Sequence, residues 1–139
     1  MKSLYTILME STENIAKVFV VLKPGSLDLG QIVIERFERD GWKVHMTTTK
    51  TLLLSEAKKL YKVHRKEDFY NDLCEYMSSG QCRAFILKKE GSINPFNEVK
   101  KIKDEIREEY GESDMRNVLH SSDSEKNMYD EASIFFSTW

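Results

Sequence analysis

Three observations predict an α/β domain built on a small antiparallel sheet. Short apolar runs rich in β-branched residues alternate with segments whose apolar residues recur every three or four positions. Pro, Gly and Asn punctuate the boundaries between them. The chain has 139 residues, of which 40% are hydrophobic and 32% charged, which suits one packed domain with a well-solvated surface.

The elements follow in order. Residues 16–22 are β-branched and aromatic and end at Lys23-Pro24-Gly25, which reads as a buried strand entering a turn. From Leu27 to Arg39, Leu29, Ile32, Val33 and Phe37 recur near helical spacing until Asp40-Gly41 stops the segment. Trp42 to Thr51 places Trp42, Val44, Met46 and Thr48 on one side and Lys43, His45 and Thr47 on the other, the period of a half-buried strand. Two short helices are expected over Leu54–His64 and Lys66–Met77, the second ending at Ser78-Ser79-Gly80. Gln81 to Lys88 should be a third, largely buried strand. Asn94-Pro95 then opens a helix that carries Val99, Ile102, Ile106 and Tyr110 on one face and ends at Gly111. Asn117 to Leu119 could form a short last strand, and Ser122-Asp123-Ser124-Glu125 has the capping-box pattern that starts a final helix. Two βαβ-like halves in this order predict a ferredoxin-like sandwich, a four-stranded antiparallel sheet with helices covering one face. The domain should span residues 16–139, preceded by an extension over residues 1–15.

Charge narrows the function classes. The net charge of −2 gives no global attraction to nucleic acid, whose non-specific binding comes from neutralised phosphates. Lys88-Lys89 and the group Lys100, Lys101 and Lys103 read as solvated faces, so no specific nucleic-acid partner is expected. Cys74 and Cys82 lack the spacing of a structural zinc site and fit a reducing, intracellular setting. The first fifteen residues make a poor signal peptide, and the longest clean apolar run, Val18–Leu22, falls far below the ~20 residues that span a bilayer. A cytoplasmic protein without membrane contact is expected.

Among the histidines, His45 and His64 read as solvent-facing. His120 follows Val118-Leu119 and precedes Ser121-Ser122-Asp123, which would deliver an imidazole to the sheet edge beside a helix N-terminus, where anions are favoured. By position alone it could equally be a structural histidine. A carboxylate such as Glu131 accepting one ring N–H would leave the other nitrogen as a nucleophilic lone pair, although Glu131 could be a surface acid and Ser122 a helix cap. Lys103 and Arg107, four apart, could form a cationic clamp for phosphate or could bridge to Asp104 and Glu108. Lys23 stands at a strand end, where ligands are often met. Tyr61, Phe69 and Leu73 fit either core packing or a base-stacking slot. A Ser/His hydrolase built on Ser122 is the poorer reading, because no GxSxG elbow is present.

Taken together, Val-Phe-Val-Val-Leu-Lys23-Pro24, Tyr61 with Phe69 and Leu73, Ile106-Arg107, the block Arg116-Asn117-Val118-Leu119-His120-Ser121-Ser122-Asp123-Ser124, and Glu131 resemble the nucleoside diphosphate kinase family from about Lys17 to Phe136. The resemblance implies ping-pong transfer of a nucleoside triphosphate's γ-phosphate to His120 and on to a nucleoside diphosphate. It implies that Glu131 holds the imidazole with support from Ser122 and that Tyr61 flanks it. Lys23 and Asn117 would contact the sugar hydroxyl and phosphates, Arg107 and Lys103 the phosphates, and Phe69 the base, with Leu73 nearby. Mg2+ would enter on the nucleotide. Family members are usually oligomers, so a homo-oligomer is expected. The chain departs from the family pattern at Gly25-Ser26, where Asp-Gly is usual, and is several residues shorter between Gly91 and Arg107, a stretch that usually carries a phosphate-contacting Thr. Lys103 replaces an Arg, Asp114 an apolar residue facing the base, and Ser121 a Gly. These departures imply an alternative: a catalytically weakened nucleotide-binding or interaction module of the same fold.

Overall fold

The structure, a computed structural model, describes residues 3–4 and 15–139. In chain order these form β1 (Ile15–Leu22), α1 (Gly30–Arg39), β2 (Lys43–Lys50), α2 (Leu54–Leu60), α3 (Tyr70–Met77), β3 (Cys82–Glu90), α4 (Pro95–Tyr110), β4 (Leu119–Ser121) and α5 (Glu125–Ala132), with 3-10 turns at Leu27–Leu29 and Lys62–His64. The extension expected over residues 1–15 lies almost wholly outside the described residues; Ile15 itself opens β1. No helix among the described residues is long and apolar enough to cross a membrane.

The sheet runs β2-β3-β1-β4 with every neighbouring pair antiparallel, the predicted ferredoxin-like arrangement. One expectation fails: helices cover both faces. Phe19 and Val21 pack with Leu60, Leu73, Met77 and Ala132 beneath α2, α3 and α5. Val18, Val20 and Leu22 pack with Val33, Phe37, Ile102 and Ile106 beneath α1 and α4. The reason was present in β1, which is apolar at every position from Val18 to Leu22 and so has no polar side to leave in water.

Strand β2 departs from its predicted alternation. Val44 pairs with Leu87 and Met46 with Ile86, so a bulge at His45 puts two residues opposite one. Because Leu87 and Ile86 point to opposite faces, so do Val44 and Met46. Trp42 accordingly joins the α1/α4 core while Met46 packs against the other. Period two cannot reveal an inserted residue.

Several boundaries also shift. The expected helix over Leu27–Arg39 starts as a 3-10 turn, and the two over Leu54–Met77 contract to α2 and α3, separated by turns. The last strand is Leu119–Ser121 rather than Asn117–Leu119, because Val118 has φ 79° and cannot lie in a ladder. Helix α5 is capped by Ser124, whose Oγ accepts from Asn127 N at 3.1 Å, and not by Ser122. Helix α4 begins with Pro95 in its first turn and ends at Gly111 as predicted. A Cβ at Gly111 would stand 2.4 Å from the Arg107 carbonyl oxygen, so glycine is needed there for space.

Candidate active site

A cleft of about 470 Å³ opens beside the end of β1 and is lined by residues from both halves of the chain. One wall is the passage from α2 to α3, carrying Tyr61, His64, Phe69 and Leu73. The other is α4 and the loop after it, carrying Lys103, Arg107, Asp114, Met115 and Asn117. Lys23, at the end of β1, and His120, on β4, form the floor between them. His120 pairs with Val21 in the sheet, which turns its ring to the α2/α3/α5 side.

His120 donates its Nε2–H to Glu131 Oε1, which α5 brings beneath the ring. Among the described residues Nδ1 makes no hydrogen bond, so it carries the free lone pair in this tautomer. Burial lowers the imidazole's affinity for a proton below its ordinary range, although the Glu131 carboxylate pulls the other way, and the ring stands neutral. The Tyr61 ring meets His120 edge-on at 5.1 Å between centroids. Its hydroxyl is buried without a partner, and burial keeps it protonated. The Ser122 hydroxyl is likewise buried without a hydrogen bond, so the support expected from it for Glu131 is not made in this structure.

Three basic side chains, Lys23, Lys103 and Arg107, line the same cleft. Lys23, only 2% exposed, donates from Nζ to the Met115 carbonyl at 3.2 Å. Burial, reinforced by the charges of Arg107 and Lys103, lowers its pKa to about 7. Lys103 is also depressed by burial and by Arg107, and is partly offset by Asp123 and Asp104. The salt bridge that could have absorbed it does not form, since Asp104 pairs with Lys100 at 2.7 Å. Among the described residues Lys23, Lys103 and Arg107 have no salt-bridge partner. Buried positive charge without a counterion is costly, and an anion in the cleft would relieve it.

Residues 16–139 match the profile of the family described as nucleoside diphosphate kinase. The chain belongs to the nucleoside diphosphate kinase family. The nucleoside diphosphate kinase of Hyperthermus butylicus is 35% identical over 132 residues, covering 88% of this chain and 93% of its own. That of Chlorobium limicola is 37% identical over 131 residues, with 87% and 93% covered. The fold superposes on a crystal structure of the Aquifex aeolicus nucleoside diphosphate kinase with a TM-score of 0.73 at 25% identity, covering 88% of this chain and 95% of that one. The activity is that of a phosphotransferase, nucleoside diphosphate kinase, with nucleoside di- and triphosphates as substrates.

In this kinase the loop from Gly111 to Val118 is tied to the floor of the cleft. Lys23 N donates to the Val118 carbonyl at 2.8 Å, and Leu119 N closes a three-residue turn onto the Asn117 carbonyl at 3.0 Å. Val118, at the centre of that turn, has the positive φ of a γ-turn, a conformation that costs a β-branched residue roughly 1–3 kcal/mol. Asn117 donates to the Asp114 carbonyl at 2.7 Å, and its side-chain oxygen is buried unpaired. Arg107 donates from Nε and Nη2 to the Leu119 carbonyl, at 3.2 and 2.7 Å. Ser121, where a glycine is usual, pairs with Val20 in the sheet and has no positive φ, so the exchange imposes no strain beside His120.

The kinase cleft widens toward Phe69, which is 49% exposed at the mouth, above the buried Leu73. Sequence reasoning placed His64 in solvent; instead its ring lies 5.5 Å from Phe69 and 6.2 Å from Tyr61, completing an aromatic wall. The available signal was its spacing of three from Tyr61, which shares a helical face. Met115 also lines the cleft and was missed, for nothing local in the sequence distinguishes a loop residue that a fold turns inward, while Asp123, quoted in the block around His120 without a role, lines it too. His45 is exposed, as predicted.

Proposed function

We propose that the kinase works by a ping-pong mechanism in which His120 Nδ1 is the phosphoryl acceptor. The observation that carries this reading is the ring itself: neutral, held at Nε2 by Glu131, free at Nδ1, and set in a cleft with the buried amines of Lys23 and Lys103 and the half-buried guanidinium of Arg107. The Nδ1 lone pair attacks the γ-phosphorus of a nucleoside triphosphate, the bond from that phosphorus to its bridging oxygen breaks, and the nucleoside diphosphate leaves with that electron pair. The Nε2–H stays on the ring, and the positive charge of the phosphoimidazolium is balanced by Glu131. A second nucleoside diphosphate then attacks with a terminal phosphate oxygen and restores the neutral imidazole. Charge spreading over cations is the main protein contribution to such transfers.

Lys103 and the remaining Arg107 donors would hold the phosphates, Lys23 and Asn117 the sugar hydroxyl and the phosphates nearest it, and Tyr61 the group in flight through its unpaired hydroxyl. Phe69 would stack on the base, a contact any base can make, with Leu73 beneath. Ser122 would reach Glu131 by turning its free hydroxyl. Mg2+ would arrive bound to the nucleotide oxygens. A homo-oligomer in the cytoplasm is the setting we infer, the latter because Cys74 and Cys82 are free and buried.

Incubation with γ-labelled ATP and magnesium, quenched at alkaline pH where phosphohistidine survives, tests the reading. Label should appear on the protein, chase into GTP when GDP is added, and be absent from His120→Ala. Label persisting on that variant would show that the acceptor is another residue.

A further inference from the structure

Two of the five guanidinium donors of Arg107 are used inside the protein. Nε and Nη2 grip the Leu119 carbonyl, which belongs to the peptide joining Leu119 to His120. One residue earlier lies Val118, the positive-φ non-glycine among the described residues. A β-branched residue keeps such a conformation only where the surroundings over-determine it. Two contacts here do so from outside the turn: the Lys23 main-chain N–H on the Val118 carbonyl, and the Arg107 fork on the next carbonyl. The first is backbone and present whatever side chain stands at position 23. The second depends on one side chain, projected from the last turn of α4, whose exit Gly111 keeps clear.

We propose that Arg107 is a positioning residue as well as a phosphate ligand: its two-point grip on the Leu119 carbonyl holds the strained Val118 turn and thereby sets where His120 meets the substrate. This rests on the reading of His120 as acceptor. A pure phosphate ligand would need no fork on a main-chain carbonyl, and the same guanidinium still has three N–H donors for substrate. Without the grip, Val118 would relax toward an extended φ, and Leu119-His120 would move with it.

The discriminating variants are Arg107→Lys, Val118→Gly and their combination. Lysine keeps the positive charge but cannot span a carbonyl with two parallel donors. In Arg107→Lys the rate of protein phosphorylation at saturating ATP should fall on the order of 100-fold, the scale of an ångström-sized misplacement, with KM little changed. Glycine accepts φ near 79° without steric cost, so Val118→Gly keeps the turn in shape without the grip. The double variant should therefore recover most of the rate that Arg107→Lys loses, whereas Val118→Ala, which retains a Cβ, should not. Multiplying losses in the double variant, or an Arg107→Lys that raises KM at unchanged kcat, would overturn the proposal and leave Arg107 a phosphate ligand alone.

Val118 is buried, so thermal melting must show each variant folded at the assay temperature. A measurement independent of rescue is the imidazole resonance of His120 in the nucleotide-free enzyme, which a phosphate ligand would not influence. It should shift in Arg107→Lys, and an unmoved resonance counts against the grip. Labelling of His120→Ala under the same conditions would instead remove the acceptor reading on which the proposal stands.

Discussion

At the scale of single residues, the site is governed by what burial does to charge. As the proposed acceptor, His120 needs no activating base, because burial already favours the neutral ring and the Nε2 contact with Glu131 leaves Nδ1 free. Protein phosphorylation should therefore decline only as pH falls through the lowered imidazole pKa, which a pH profile of the half-reaction can locate. The same depression means the unfolded chain takes up this proton first, so His120 makes stability fall as pH drops below about 6.5. Lys23 acts in the opposite range. Its folded pKa of about 7 lies below the ordinary 10.5, so between those values the unfolded chain binds the proton and stability rises with pH. Lys23→Met should consequently melt higher than the parent at pH 8 while losing transfer activity. A lower melting point would show that Lys23 is held by contacts stronger than its desolvation cost. Polyphosphate in the cleft should restore Lys23's proton, so nucleotide binding at pH 8 should take up protons, measurable by calorimetry in buffers of different ionisation enthalpy.

At the scale of elements, short segments hold the reactive groups, and their ends matter more than their middles. Helix α5 carries Glu131 two turns from a cap that is Ser124, not the Ser122 of the capping-box pattern. Ser124→Ala should lower stability by about 1 kcal/mol in a denaturant titration, while Ser122→Ala should spare stability and affect phosphorylation instead. Equal stability losses would return the cap to Ser122. Either serine is a good capping residue by type, only Ser122 has the glutamate three positions on, and the backbone turn after β4 decides for Ser124. Helix α4 was the most legible element, with Val99, Ile102 and Ile106 on one face, Pro95 at its start and Gly111 at its end. The break between α2 and α3 was less so, because the polar stretch Arg65-Lys66-Glu67-Asp68 suits helix and turn alike. That break is what swings Phe69 to the cleft mouth.

At the scale of the whole molecule, the sheet is a plate between two helical layers. Phe19→Ala on one face and Phe37→Ala on the other should each destabilise by about 3–5 kcal/mol, read from unfolding midpoints; a near-neutral result for either would mean that its layer is loosely packed. The antiparallel ferredoxin-like sheet and the five helices around it were legible in the sequence by itself, and the family resemblance singled out Lys23, Tyr61, Phe69, Lys103, Arg107, Asn117 and His120, all of which line the cleft. The elements are marked by spacing that survives in one dimension, an apolar run or one face of a helix, and the cleft residues by a resemblance that rests on the block around a histidine. The bulge at His45, the inward turn of His64, the φ of Val118 and the grip of Arg107 on the Leu119 carbonyl were decided only by the tertiary structure. These depend on which distant segments close over a position, and a local conformation that costs energy can be held only by neighbours that the chain brings together when it folds.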